Sequence, residues 1–139
     1  MTRNPHTYTS LASLTGRLLM ATIFIISGCG KIVAYHATTT LMSTHGLPSQ
    51  LLPAVILTEL GGGLALILGW QVRAVALALA GYSILSALAF HIDLSNPDQL
   101  FSFLKNLAMA GGFLQIYAFG SGRYALDGMS LSTKSVHQL

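Results

Sequence analysis

Residues 51–69 read LLPAVILTELGGGLALILG, an apolar stretch in which Glu59 is the only charged residue. A helix needs roughly 20 residues to cross about 30 Å of hydrocarbon, and this stretch is close to that length. The predicted spans of this kind are at about 11–33, 50–69, 73–91 and 100–119. Because backbone groups in lipid must bond within their own segment, each span is predicted to be a helix. The chain is therefore predicted to be all-α, an integral membrane four-helix transmembrane bundle.

The composition supports a membrane protein and excludes other classes. Of the 139 residues, 53% are hydrophobic and 8% are charged, whereas soluble domains carry about 25% charged residues. The length predicts a single domain over residues 1–139, with a polar tail at 120–139. The net charge of +3 is spread along the chain, and no basic run contains interleaved aromatic residues, so nucleic acid is not an expected partner.

Lysine and arginine residues are divided unequally between the two ends of the predicted bundle. Four spans place both termini and the turn near residues 69–73 on one side, which holds five basic residues: Arg3, Arg17, Arg73, Arg123 and Lys134. The other side holds Lys31 and Lys105. Because basic residues accumulate on the cytoplasmic side, we predict cytoplasmic termini in a bacterial inner (plasma) membrane. Arg17 and Arg73 are interpreted as orientation anchors, with an internal polar contact as the alternative.

The single cysteine, Cys29, limits the redox chemistry that the chain can perform alone. It allows no internal disulfide and no Cys-x-x-Cys pair, so a redox role must use a cofactor or the thiols of a partner. Ile26-Ser27-Gly28-Cys29 resembles a lipoprotein cleavage box, but the region before its apolar run is long and the residues after it do not resemble a tether. We therefore interpret Cys29 as a small helix-packing residue.

Polar side chains from all four spans are predicted to meet in the outer half of the bundle. Ionisable groups at membrane depth are costly, so each needs a partner or a role. Glu59 lies roughly 13 Å below the outer end of its helix at 1.5 Å per residue. Lys31 is near the outer end of the first span, and His91 ends the third. Lys105 and Asn106 lie in the first turns of the fourth.

This cluster has three interpretations. It is an ion-pair network that fixes the helix register, or a site for a small polar or quinone-like ligand or a proton relay, or the lysines extend outward and do not meet Glu59. In the functional interpretation Glu59 is the catalytic proton acceptor, and His91 exchanges protons at the mouth because histidine titrates near neutral pH. Lys31, Lys105 and Asn106 would bind the ligand. No residue spacing supports a metal site.

Glycines accompany the polar residues in the second and fourth spans. Gly62 and Gly63 follow Glu59 by three and four residues and so share its helix face, and Gly111-Gly112 lies in the fourth span. Small residues in membrane helices allow close approach of a neighbour. We predict packing contacts here, with a cleft beside Glu59 as the alternative.

Motifs in a fixed order mark all four spans: Gly16-Arg17, Gly28, Lys31-Ile32, Glu59-Leu60-Gly61-Gly62-Gly63, Arg73-Ala74, Phe90-His91, Lys105-Asn106-Leu107-Ala108, Gly111-Gly112 and Leu126-Asp127. With these motifs the sequence resembles the DoxX family, especially its YqjF-like inner-membrane branch, over about residues 16–127. The resemblance implies an inner-membrane four-helix protein. Some members are subunits of quinone-linked thiosulfate oxidation, and others join membrane complexes that handle thiol or oxidative stress. A site carried by the resemblance falls on Lys31, Glu59, His91, Lys105 and Asn106.

The leading hypothesis is a subunit or accessory of a quinone- or thiol-linked redox system, with quinone as the expected ligand. The lipid bilayer and membrane or soluble redox proteins are its expected partners. One alternative is a non-catalytic membrane module that docks or stabilises partners, for which changes on helix surfaces would matter more than Glu59. The other is a small-molecule permease acting as a homo-oligomer, since four spans leave little room for alternating access.

Overall fold

The computed structural model describes residues 5–127, with side chains from Tyr8 onward, and this part of the chain is all-helical. Its five α-helices are α1 (Pro5–Val33), α2 (Tyr35–Thr44), α3 (Leu52–Leu68), α4 (Val72–Phe90) and α5 (Pro97–Phe119). A 3-10 turn, Ser49–Leu51, leads into α3. Arg3, Lys134 and the predicted tail beyond residue 127 lie outside the described residues.

Three of the described helices are long and apolar enough to cross a membrane. They cover Tyr8–Val33, Ser49–Leu68 and Val72–Phe90. The fourth predicted span corresponds to α5, which has 23 residues but is less apolar because it contains Asp98, Lys105 and Asn106. With 10 residues, α2 is too short to cross a membrane.

The four long helices pack as two close pairs, α1 with α3 and α4 with α5, and α3 and α4 join the pairs. The core between them contains Phe24, Leu79 and Phe113, and the rings of Phe24 and Phe113 meet edge to face at 5.3 Å. Large apolar side chains also cover the outside of the bundle; Leu57 is 73% exposed and Leu85 68%. An apolar outer surface of this extent suits contact with lipid.

The glycines beside Glu59 are packing positions. A Cβ on Gly63 would lie 2.8 Å from the Ile25 side chain of α1, and one on Gly62 would lie 2.8 Å from Leu79 of α4. In α5, a Cβ on Gly112 would come within 3.1 Å of Met20, whereas Gly111 has nothing within 4 Å. Gly62 and Gly63 thus let α3 approach α1 and α4 closely enough to bring Glu59 into the interior.

The chain after α5 folds back over the turn between α3 and α4. Gly69 ends α3 in the left-handed region (φ 72°). The carboxylate of Asp127 accepts hydrogen bonds from the amides of Gln71 (2.9 Å) and Val72 (2.8 Å) at the start of α4. An acidic group at a helix N-terminus satisfies free amides and complements the helix dipole. The segment 120–127 therefore closes this end of the bundle.

Arg17 connects the segment 120–127 to α3 from inside the bundle. Its side chain is fully buried, its Nη1 donates to the Leu66 carbonyl at 2.8 Å, and its Nη2 donates to the Tyr124 carbonyl. Of the two interpretations of Arg17, the internal polar contact is therefore correct and the exposed anchor is wrong. Arg73 is exposed, as an anchor would be.

Candidate functional site

Glu59 is buried in the bundle, with donors around its carboxylate from two neighbouring helices. Only 3% of the residue is exposed. Lys31 Nζ lies 2.8 Å from Oε1 and 3.0 Å from Oε2. The Tyr82 hydroxyl donates to Oε1 at 2.6 Å, and the Ser27 hydroxyl donates to the same oxygen at 3.1 Å. An ammonium and two hydroxyls thus offset the cost of burying the carboxylate.

The local sequence of α1 explains how Lys31 reaches Glu59. Ser27 and Lys31 are one turn apart and share a helix face, and Lys31 Nζ also donates to Ser27 Oγ at 2.6 Å. Between them, Gly28 faces α3 so closely that a Cβ would lie 2.8 Å from the Leu60 side chain and 3.3 Å from Glu59 Cβ. The missing side chain at Gly28 thus permits the helix separation that the ion pair requires.

A cavity of about 200 Å³ lies beside Glu59 and brings the predicted site residues together. All five of them line it: Lys31, Glu59, His91, Lys105 and Asn106. The remaining lining comes from α1, α4 and α5: Ile23, Phe24, Ser27, Tyr82, Ser86 and Met109. Side chains of all four long helices therefore face one small polar space. The contribution of α4 is Tyr82 and Ser86, and His91 lies directly after the end of that helix.

The five predicted residues are not equivalent within this cavity. Within residues 8–127 the Lys31–Glu59 contact is the one salt bridge, and Lys105, which is exposed, is not paired with Glu59. Asn106 is buried, at 7% exposure, yet its side-chain amide has no hydrogen-bond partner among the described residues. Lys105 and Asn106 thus present unused donors to the cavity.

His91 lies where α4 ends and is held by the start of α5. Its Nδ1 is 2.9 Å from Oε1 of Gln99. Since that amide oxygen accepts, Nδ1 carries the hydrogen and Nε2 is the basic nitrogen of the neutral ring. Asp93 follows His91 by two residues. The hydroxyl and the backbone amide of Ser95 donate hydrogen bonds to the Asp93 carboxylate and hold its pKa below the ordinary value. Asp93 is therefore an anion in the loop that follows His91.

Tyr82, Ser27 and Gln99 are the site residues that the sequence prediction missed. Two of them carry a detectable signal, because Ser27 precedes Lys31 by four residues and Tyr82 precedes Ser86 by four, the spacing of one helix face. A lone tyrosine in an apolar helix is otherwise typical of packing, and Tyr82 does pack against Phe24 at 5.9 Å. Gln99 could be assigned only once the orientation of α5 relative to His91 was known.

Another cavity lies at the opposite end of the bundle. It has a volume of about 650 Å³ and is lined by Arg73, Gly120, Ser121 and Asp127, among others. The Asp127 carboxylate already accepts hydrogen bonds from the amides of Gln71 and Val72. The arrangement around Glu59 differs because it combines a buried charge pair, a basic imidazole nitrogen and unused donors. Groups of this kind can bind a polar molecule and pass protons to it.

Together, the apolar exterior and the charge pair at membrane depth define a multi-pass membrane protein with an internal polar site. The DoxX family model matches residues 12–92, and the chain belongs to the DoxX family. The matched range contains Lys31, Glu59, Tyr82 and His91, while Lys105 and Asn106 lie beyond it.

Two similar proteins are known from Escherichia coli (strain K12). Inner membrane protein YqjF is 42% identical over 114 residues, which cover 82% of this chain and 88% of the relative. Inner membrane protein YphA is 30% identical over 122 residues, covering 82% of this chain and 86% of the relative. No solved structure matches. With its candidate spans and these relatives, the chain is a bacterial inner-membrane protein that sits in the lipid bilayer.

Proposed function

We propose that this protein is the membrane subunit or accessory of a quinone- or thiol-linked redox system, and that the cavity at Glu59 binds the headgroup of a quinone or a small sulfur compound. The observation that carries the proposal is the buried carboxylate of Glu59, paired with Lys31 and facing a cavity that also holds unpaired donors. A purely structural ion pair needs no adjoining polar space, whereas a ligand site does.

Each residue has a role that follows from its contacts. Lys105 and Asn106, which have no partners of their own in the described chain, would donate to acceptor oxygens of the ligand. Glu59 would accept or return a proton, with Tyr82 and Lys31 stabilising its anion. His91, with Nε2 basic, would exchange protons between the cavity and the adjoining loop.

The electrons would come from a partner protein. Oxidation of a partner's dithiol to a disulfide releases as many electrons and protons as the reduction of a quinone to a quinol takes up. Cys29 cannot supply a thiol pair by itself. The residues of this chain would then provide the headgroup site and the path for protons, and the partner would provide the reductant.

We further propose a single domain in which α5 is the fourth span, both termini are cytoplasmic and the Glu59 cavity lies in the outer half. In support, α5 packs closely against α4, and it contributes Asn106 to the interior. Fusions test this topology. A fluorescent protein after residue 139 should be fluorescent, and alkaline phosphatase inserted at residues 93–96 should be active; the reverse pattern would contradict it.

Quinone titration in nanodiscs tests the function. A ubiquinone with a short isoprenoid chain is added to the wild type, to Glu59→Gln and to Asp98→Asn, a matched loss of one carboxylate at an exposed position. The expected result is at least about tenfold weaker binding for Glu59→Gln and unchanged binding for Asp98→Asn. Equal binding by all three proteins would exclude Glu59 from a quinone site.

A further inference from the structure

A second cavity, almost entirely apolar, adjoins the Glu59 cavity beneath α2. Its volume is about 460 Å³. Its apolar lining comes from α2, the following loop, α3 and α4, and includes Leu41, Met42, Leu47, Leu52, Val55 and Leu85. We call it the α2 groove. Its floor is fully covered, with Leu52 and Met42 buried, whereas its rim is open, with Leu41 half exposed.

The α2 groove is continuous with the Glu59 cavity. Four residues line both spaces: Lys31, Tyr82, Ser86 and His91. Thr38 of α2 is the one other polar residue in the described lining of the groove, so the polar groups of the groove are concentrated at the end that meets the cavity. One occupant that filled both spaces would therefore have a polar end and an apolar body.

Size points to one occupant for both spaces. Ligand pockets in proteins usually have volumes of roughly 300–1,000 Å³. The Glu59 cavity is smaller than that range, and the α2 groove falls within it. A headgroup or a small sulfur compound would use only the smaller space, leaving an apolar cleft with a covered floor beside it.

The hydrogen-bonding groups of the cavity define the polar end of the occupant. Asn106 is more than nine-tenths buried, lines the cavity and has no hydrogen-bond partner in the described part of the chain. Since Arg17 Nε is the one fully enclosed side-chain polar atom without a partner in the described residues, the Asn106 amide has access to open space, which the cavity provides. Lys105 adds a second unused donor. Donors of this kind match carbonyl oxygens on the occupant.

We infer that the site takes an amphipathic carbonyl compound, a prenylated quinone, whose headgroup lies in the Glu59 cavity and whose isoprenoid chain lies in the α2 groove. This inference rests on the proposed headgroup site and deepens it, because it selects a chain-bearing quinone over a small sulfur compound. Apolar contact along the groove would hold the chain, and the donors at Asn106 and Lys105 would orient the headgroup.

The test compares two probes, a ubiquinone headgroup without a chain and the same headgroup with two isoprenoid units. Both are titrated into nanodiscs, and affinities are expressed per quinone dissolved in the bilayer so that partitioning cancels. Val55→Trp fills the α2 groove. Leu57→Trp, on the same helix but facing outward, is the matched control. Ala89→Leu is a milder filling of the groove, for use if Val55→Trp does not fold.

Filling the groove should weaken binding of the chain-bearing quinone by at least about tenfold and leave that of the chainless headgroup within about twofold. Leu57→Trp should change neither. If both quinones bind in a Glu59-dependent way but filling the groove changes neither, the chain lies elsewhere and this inference alone is overturned. If Val55→Trp loses a co-purified phospholipid that the wild type retains, and its quinone affinity is unchanged, the inference is also overturned, because the groove then holds bilayer lipid. If the wild type binds neither quinone, the proposed function and this inference both fail.

Discussion

The hydroxyl of Tyr82 donates a 2.6 Å hydrogen bond to Oε1 of Glu59, the same oxygen that lies 2.8 Å from Lys31 Nζ. This contact joins α4 to the charge pair between α1 and α3. Because one carboxylate oxygen receives donors from two helices, the position of Glu59 is fixed before any ligand enters. Such preorganisation is what a polar site at membrane depth needs in order to bind without rearranging.

Tyr82→Phe should weaken both the fold and the site. Losing one hydrogen bond to a buried charged group is expected to cost about 1–3 kcal/mol of unfolding free energy. Denaturant titration in a single bicelle composition would measure that cost. Tyr117→Phe is the control, because Tyr117 is 44% exposed and its hydroxyl has no hydrogen-bond partner within the described residues. Equal effects of the two substitutions would show that the Tyr82 hydroxyl contributes nothing.

The Lys31–Glu59 pair should be asymmetric when its partners are removed one at a time. Lys31→Met leaves a carboxylate with a 4% exposed side chain without its counter-charge, whereas Glu59→Gln leaves a lysine whose side chain is 25% exposed and can extend outward. Lys31→Met should therefore cost about 1–3 kcal/mol more than Glu59→Gln.

The double variant of this pair tests the coupling directly. Lys31→Met combined with Glu59→Gln should cost less than the sum of the two single losses, because no unpaired charge remains. Unfolding free energies of all four proteins in the same bicelles give the coupling energy. Additive losses would mean that the two side chains do not interact in the membrane.

Gly28→Ala should destabilise the contact between α1 and α3. The new methyl group would lie 2.8 Å from the Leu60 side chain and 3.3 Å from Glu59 Cβ, and the second contact cannot be relieved by a change of rotamer. We expect a loss of about 1–3 kcal/mol. Gly30→Ala is the matched control, with nothing within 4 Å of its new Cβ, and should cause no loss. The same denaturant titration distinguishes them, and a tolerated Gly28→Ala would mean that the helices are farther apart than described.

Asp127→Ala should loosen the opposite end of the bundle. Two amides at the start of α4 would lose their acceptor, which typically costs about 0.5–2 kcal/mol. Hydrogen exchange at Gln71 and Val72 should become faster, while exchange around Glu59 should not change. Asp98→Ala, at an exposed acidic residue in the first turn of α5, should leave exchange at residues 71 and 72 unaffected.

The sequence could predict the main elements of this structure because hydropathy and ionisable residues have a direct physical meaning in a membrane. Glu59 and Lys31 had to be satisfied at depth, and placing them on antiparallel spans brings them together. The membrane-spanning status of α5 could not be derived in the same way, since Lys105 and Asn106 reduce the hydropathy of this helix and also give it its role in the cavity.

Long-range contacts account for what the sequence did not reveal. The burial of Arg17 depends on a carbonyl supplied by Tyr124, more than a hundred residues away along the chain. Pairing of His91 with Gln99 depends on the angle at which α5 leaves Asn96, whose side chain accepts from the Asp98 amide at 3.0 Å. Periodicity within one helix carries no information about such pairings.

The amount of quinone that stays bound through purification is the sharpest test of a quinone site at Glu59. The wild type and Glu59→Gln are purified from the same membranes in mild detergent, and organic extracts are quantified by mass spectrometry per mole of protein. We expect a prenylated quinone near one equivalent in the wild type and a loss of at least about tenfold in Glu59→Gln, with phospholipid content equal in both. No quinone in the wild type, or equal amounts in both proteins, would contradict it.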